Sequence, residues 1–118
     1  MDEQLSARLI QIRRQIHANP ELGYQEEKTS QLVKQELDKL GIPYTTGAAR
    51  GTGVIGTLRK GEGPVVAIRA DMDALPMQEE TGLPFASATA GKMHSCGHDL
   101  HTTMLIGAAA LLKNTGHC

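Results

Sequence analysis

Leu5, Leu9, Ile12 and Ile16 recur at helical spacing, with Arg8, Gln11, Arg13 and Gln15 between them. This pattern predicts an amphipathic helix that ends near "HANPELG", where Pro20 and Gly23 stop it. "QEEKTSQLVKQELDKLG" predicts a second helix: Leu32, Val33, Leu37 and Leu40 form its apolar stripe, and Gly41 is its carboxyl-terminal stop. "IPYTT" is short and extended. "GTGVIGTLR" and "GPVVAIRAD" are two β-like runs separated by the turn "KGEG". Within the latter, Val65, Val66, Ala67 and Ile68 are a nearly continuous apolar run, as expected of a strand covered on both faces. "MDALPMQEETGLPFASATAGK" has no clear period and reads as a long loop, and a final helix is expected from about Asp99 to Asn114. The order is helix, helix, three strands, long loop, helix, which suits an α/β fold with helices packed on a sheet. No internal repeat or low-complexity segment interrupts it. A sheet with a buried central strand needs more cover than this chain supplies, so the sequence reads as unfinished.

Composition narrows the picture. The 118 residues are enough for one small domain, and 40% hydrophobic content is adequate for a core. With no Trp, one Phe and two Tyr, that core must come from Ile, Leu, Val, Ala and Met. Twelve basic and 13 acidic residues give a net charge of -1, which provides no electrostatic footprint for nucleic acid or an anionic membrane. The amino terminus is amphipathic and lacks the apolar region of a signal peptide, and no apolar run approaches the ~20 residues of a membrane span. Of the two cysteines, Cys96 sits in a histidine-rich cluster and Cys118 is the last residue. A cytoplasmic protein with free or metal-bound thiols is therefore expected.

The chemistry concentrates in "MHSCGHDLHTTM", where His94, Cys96, His98, Asp99 and His101 fall within eight positions. Cys96 and His98, one residue apart, reach a common cation only from a bent or extended backbone, which Gly97 permits. Thiolate and imidazole suit zinc and similar transition metals. His98 and His101 would share a face of the helix that follows. A second element is "RADMDALP", where Asp71 and Asp73 close the apolar strand. In a regular strand they would face opposite sides, but at a strand's carboxyl end the loop can turn either inward. That end is where open α/β sheets place ligand sites. Polar residues in solvated loops are the plain alternative for both motifs. Together they read better as a metal site built from distant loops, with carboxylates orienting or bridging and Cys and His ligating.

"RADMDALPMQEETGLPFAS" followed by "MHSCGHDLHTTMLIGAAALL" closely resembles the amidohydrolase branch of the M20 metallopeptidase family, which includes hippurate hydrolases, auxin-conjugate hydrolases and N-acetyl-diaminopimelate deacetylases. "RRQIHANPELGYQEEKTS" resembles the opening of the same family, so the likeness covers nearly the whole chain. The resemblance implies helices on a mixed sheet, as the amino-terminal part of a di-metal aminopeptidase-like catalytic domain. It implies hydrolysis of the amide of N-acyl amino acids or small peptides, two divalent ions (Zn²⁺ or Mn²⁺) and a possible homo-oligomer. Cys96 and His98 match family metal ligands, Asp73 the acidic residue that supports a ligand at the metal centre, and Asp71 its neighbour in the motif. His101 and His94 lie within the motif without an assigned role, and Arg69–Ala70 is a structural lead-in.

The departures bear on activity. The family's base is a Glu in a Glu-Glu pair after the next strand, and further ligands come from a later Glu or His and a distal His. None of these follows in 118 residues, nor does the family's inserted dimerisation domain. Residues 1–118 are accordingly expected to be a partial catalytic domain, inactive alone. Glu26–Glu27 and Glu79–Glu80 precede the metal motif and read as a solvated helix start and a loop. His117 and Cys118 are expected to contribute nothing. Two other readings remain: a structural zinc module closed by Cys96, His98, His101 and either His94 or Cys118, and a reactive Cys96 thiol activated by the imidazoles.

Overall fold

The computed structural model of the chain describes residues 2–115; His117 and Cys118 lie outside them. Helix α1 spans Glu3–Ala18 and opens on Asp2, whose carboxylate accepts the Leu5 N–H at 2.7 Å. At its end the Asn19 amide donates to the Gln15 carbonyl at 2.8 Å. Helix α2 spans Glu27–Leu40 and ends on Gly41, whose φ of 70° is the left-handed cap that glycine adopts without a Cβ penalty. Its amino end is capped from outside. Glu21 accepts the backbone N–H groups of Lys28 (2.9 Å) and Thr29 (2.7 Å) and the Thr29 hydroxyl (2.7 Å). Strands β1 (Tyr44–Ala48) and β2 (Gly53–Gly56) form an antiparallel pair joined by a single 3₁₀ turn, with a bulge between Thr46 and Ala48. Helix α3 spans His98–Thr115.

The predicted helical stripes are the ones that pack. Ile12 and Ile16 of α1, Leu32 of α2 and Ile106 of α3 form the buried core, with Leu9 and Val33 against it. Gly107 allows the α1–α3 contact: a Cβ there would come within 2.9 Å of Leu9 Cδ1. The helices-on-sheet α/β arrangement is present, but among the described residues the sheet has two antiparallel strands and is not mixed.

One expected strand is missing. Residues 64–70 lie outside any ladder, and Val65 and Val66 are 96% and 82% exposed. Apolar composition supplies a strand's side chains but not its hydrogen-bonding partners. Here β1 and β2 pair only with each other, so nothing among the described residues covers this run. Two carboxylates also depart from expectation: Glu26 and Glu79 are buried, not solvated. Glu26 accepts from the Thr52 hydroxyl at 3.4 Å, and Glu79 belongs to the site described next.

Candidate metal centre

Three stitches bring the Asp-x-Asp loop against the start of α3. Leu75 and Met93 exchange backbone hydrogen bonds of 2.9 and 3.0 Å in an isolated antiparallel bridge. The Thr102 hydroxyl donates to the Asp71 carbonyl at 3.0 Å. The Ala74 N–H donates to the Glu21 carbonyl at 2.8 Å, which ties the same loop to the segment between α1 and α2. Gly97, at φ 85°, turns the chain from the exposed Cys96 into α3, and its carbonyl accepts the first-turn N–H of His101 at 2.9 Å.

Asp73 and His98 meet within this frame. His98 Nδ1 lies 2.9 Å from Asp73 Oδ1 and 3.0 Å from the Asp73 carbonyl oxygen. Both partners are acceptors, so Nδ1 carries the proton, and in the neutral ring Nε2 keeps its lone pair. A carboxylate that holds one imidazole nitrogen while the other remains free is the usual support for a metal-binding histidine. Asp71 turns the other way, to an exposed ion pair with Arg69 at 2.6 Å. The His98 and His101 rings lie side by side, with centroids 5.9 Å apart.

Beneath this turn is a buried cluster of charges. Asp99, only 1% exposed, presents Oδ2 to Arg13 Nε and to His17 Nδ1, each at 2.8 Å. The opposite ring nitrogen, His17 Nε2, faces Glu79 at 3.0 Å. Glu79 also accepts the Ser87 N–H at 2.9 Å and the Thr81 hydroxyl. Burial alone would push the Glu79 carboxyl up, but the bonds from Thr81, Ser87 and His17 outweigh it and lower the pKa to about 2. Asp99 likewise overcomes burial and is held below the usual carboxylate range by His17, the Leu100 N–H and Arg13. Phe85 closes the cluster. Its ring meets His17 edge-on at 5.6 Å, and the guanidinium groups of Arg13 and Arg14 lie over it at 5.0 and 4.8 Å. His94 is buried nearby with neither ring nitrogen hydrogen-bonded, and burial lowers its pKa.

The sequence reading missed Arg13, His17 and Glu79. One local signal existed: Arg13 and His17 are four residues apart and so share a face of α1. Nothing near Glu79 distinguished it from a solvated loop residue.

The donors fit a transition-metal ion in kind. The Cys96 thiol is free and exposed, and His98 Nε2 is the nitrogen Asp73 leaves available. In number they supply only part of a shell, because among the described residues no group of three His, Cys, Asp or Glu side chains is placed to hold a metal ion.

Residues 67–117 match peptidase family M20/M25/M40. An IAA-amino acid hydrolase (ILR1-like 5) of Arabidopsis thaliana is 60% identical over 105 residues, covering 89% of this chain and 24% of that protein. The N-acetylcysteine deacetylase of Bacillus subtilis is 47% identical over 113 residues, covering 95% of this chain and 30% of that one. The crystal structure of the Bacillus subtilis YXEP protein, described as a dinuclear metal-binding peptidase from the M20 family, superposes with a TM-score of 0.89 at 45% identity. That match covers 96% of this chain and 32% of the other. Along nearly its whole length the chain is similar to proteins of the M20 peptidase family, and it spans about a quarter to a third of the length of these relatives.

Proposed function

We propose that this chain contributes the Cys96–His98 arm of the metal centre of a hydrolase that cleaves the amide of N-acyl amino acids or small peptides. The observation that carries the reading is the Asp73–His98 contact of 2.9 Å, which leaves Nε2 unprotonated, two residues after an exposed thiol in sequence. Support for the reaction class comes from relatives named as an amino acid conjugate hydrolase and a deacetylase. Two divalent ions, Zn²⁺ or Mn²⁺, are part of the proposal, as is a cytoplasmic setting that keeps Cys96 reduced.

The chemistry a bound divalent ion supplies is polarisation of the amide carbonyl and a lowered pKa for water. The chain's own part is to hold and orient. Asp73 fixes the His98 tautomer and raises the basicity of Nε2, and the Gly97 turn separates His98 from Cys96 by one residue. Proton transfer needs a base positioned at the water, and base catalysis is worth ~10²–10⁴-fold. The resemblance assigns that role to a Glu beyond the last helix, and no Glu follows Cys96 here. We therefore expect residues 1–118 alone to leave hippurate and N-acetyl amino acids intact, with or without Zn²⁺ or Mn²⁺.

Calorimetric titration with Zn²⁺ and Mn²⁺ tests the assignment. Cys96→Ser and His98→Ala should abolish most of the heat, Asp73→Asn should weaken binding by about 10- to 100-fold, and His117→Ala should change nothing. Equal losses at Cys96, His98 and His117 would favour a closed structural site. Turnover by the pure chain that disappears on chelation would refute its proposed inactivity.

A further inference from the structure

We propose that His17 is a positioning residue for the metal-binding turn: a doubly protonated imidazole that clasps Glu79 of the long loop to Asp99 of α3. This rests on the reading of Cys96 and His98 as ligands, but its geometric basis is independent of that reading. An ionised carboxylate only accepts hydrogen bonds. His17 Nδ1 faces Asp99 Oδ2 at 2.8 Å and Nε2 faces Glu79 Oε1 at 3.0 Å, so both nitrogens must donate if both contacts are hydrogen bonds. A neutral ring has one N–H and would leave one carboxylate pressed against a lone pair.

Charge balance leads to the same conclusion. The side chains of Asp99 and Glu79 are 2% and 1% exposed, and among the described residues the cations bonded to them are Arg13, on Asp99, and His17, on both. Two buried negative charges are matched only if Arg13 and His17 each carry one positive charge, and an unmatched buried charge is costly. The other polar neighbours do not supply it. Arg14 lies over Phe85, and Thr81 and Ser87 donate to Glu79 as neutral groups. His94, whose charged form burial disfavours, does not supply it either.

The clasp joins the elements that carry the candidate ligands. Asp99 is bonded in sequence to His98, and its carbonyl accepts the Thr103 hydroxyl at 2.8 Å, so fixing its carboxylate fixes the first turn of α3. Glu79 anchors the loop that begins at Asp73, and the Ala88 N–H holds that loop's far end to the Ala18 carbonyl at 2.8 Å. His17 on α1 therefore constrains both Asp73 and His98. Neither Arg13, which reaches only Asp99, nor Thr81, which reaches only Glu79, spans the two.

Two measurements on the 118-residue chain test this. Nitrogen-15 NMR of the imidazoles at neutral pH should show protons on both His17 nitrogens, assigned by their loss in His17→Gln. A single-proton tautomer would overturn the clasp, and this arm decides without any metal. Co²⁺ titration then reads the positioning role through the thiolate-to-cobalt absorption of Cys96. His17→Gln, which can donate from only one end, should weaken Co²⁺ uptake by about 10-fold or more while the band at saturation keeps its position, because the ligands are unchanged. Wild-type affinity in a folded His17→Gln chain would overturn the positioning role. If Cys96→Ser leaves the cobalt spectrum untouched, the ligand assignment has failed, and with it the positioning role. The NMR result still decides the clasp.

Discussion

Individual carboxylates here have roles set by partners far away in sequence. His17 is 62 residues from Glu79 and 82 from Asp99, so no local pattern could have joined them. "QEETG" reads as a solvated turn because Gln, Glu and Thr beside Gly are turn residues, and only the folded chain turns Glu79 inward. By contrast, Cys96, His98 and Asp73 stand out as candidates in sequence because each lies in a short motif of residue types with metal chemistry. A pH consequence follows from Glu79. Its folded pKa, about 2, lies below the ordinary 4.5, so its stabilising contribution is fully present above pH 4.5. That contribution is lost as pH falls from there toward 2. Asp99, shifted in the same direction, adds to this acid limb. Thermal melts between pH 2 and 7 should therefore show a shallower acid limb in Glu79→Gln than in wild type. Parallel curves would place the charge of Glu79 elsewhere than in this cluster.

At the scale of elements, all three helices were expected to within about a turn, α1 and α2 because each buries one stripe and the stripe is visible in sequence. Their ends were less legible. Pro20 and Gly23 announced that α1 stops, but not that Glu21 between them would cap α2. Glu21 satisfies two backbone N–H groups that α2's own first residues leave open, and it accepts the Thr29 hydroxyl as well. Loss of such a cap costs about 0.5–2 kcal/mol. Glu21→Ala should accordingly lower the unfolding free energy by that amount, read as a lower urea midpoint with an unchanged slope. The Ala74 N–H bonds to the residue's carbonyl, which survives the substitution. Unchanged stability would mean that water replaces the carboxylate at no cost. The strand expected at 64–70 failed for a different reason. Side-chain pattern reports what could be buried, whereas a ladder depends on neighbouring backbone that a one-dimensional pattern does not contain.

For the whole molecule, that unpaired segment is the exposed weakness of the fold. Val65, Val66 and Ile68 are 96%, 82% and 59% exposed, consecutive but for Ala67, and no proline interrupts them. Outside any ladder, the run also presents its backbone N–H and C=O groups to solvent. An extended apolar edge is a template for pairing with another chain, and proteins usually blunt such edges with charge, proline or a covering element. Arg69, next to Ile68, is already engaged by Asp71 at 2.6 Å. The net charge of -1 adds little repulsion between copies. The chain should therefore self-associate as concentration rises, through residues 64–70 of two copies. Sedimentation velocity over a concentration series should show the average mass climbing for the wild type and remaining at one chain for Val66→Lys. The substitution places a charge on the run while touching none of Asp73, Cys96 or His98, so metal uptake serves as the control for an intact fold. A Val66→Lys chain that takes up metal normally yet associates like the wild type would move the contact elsewhere, with exposed Leu100, Met104 and Leu111 of α3 the next apolar surface to test.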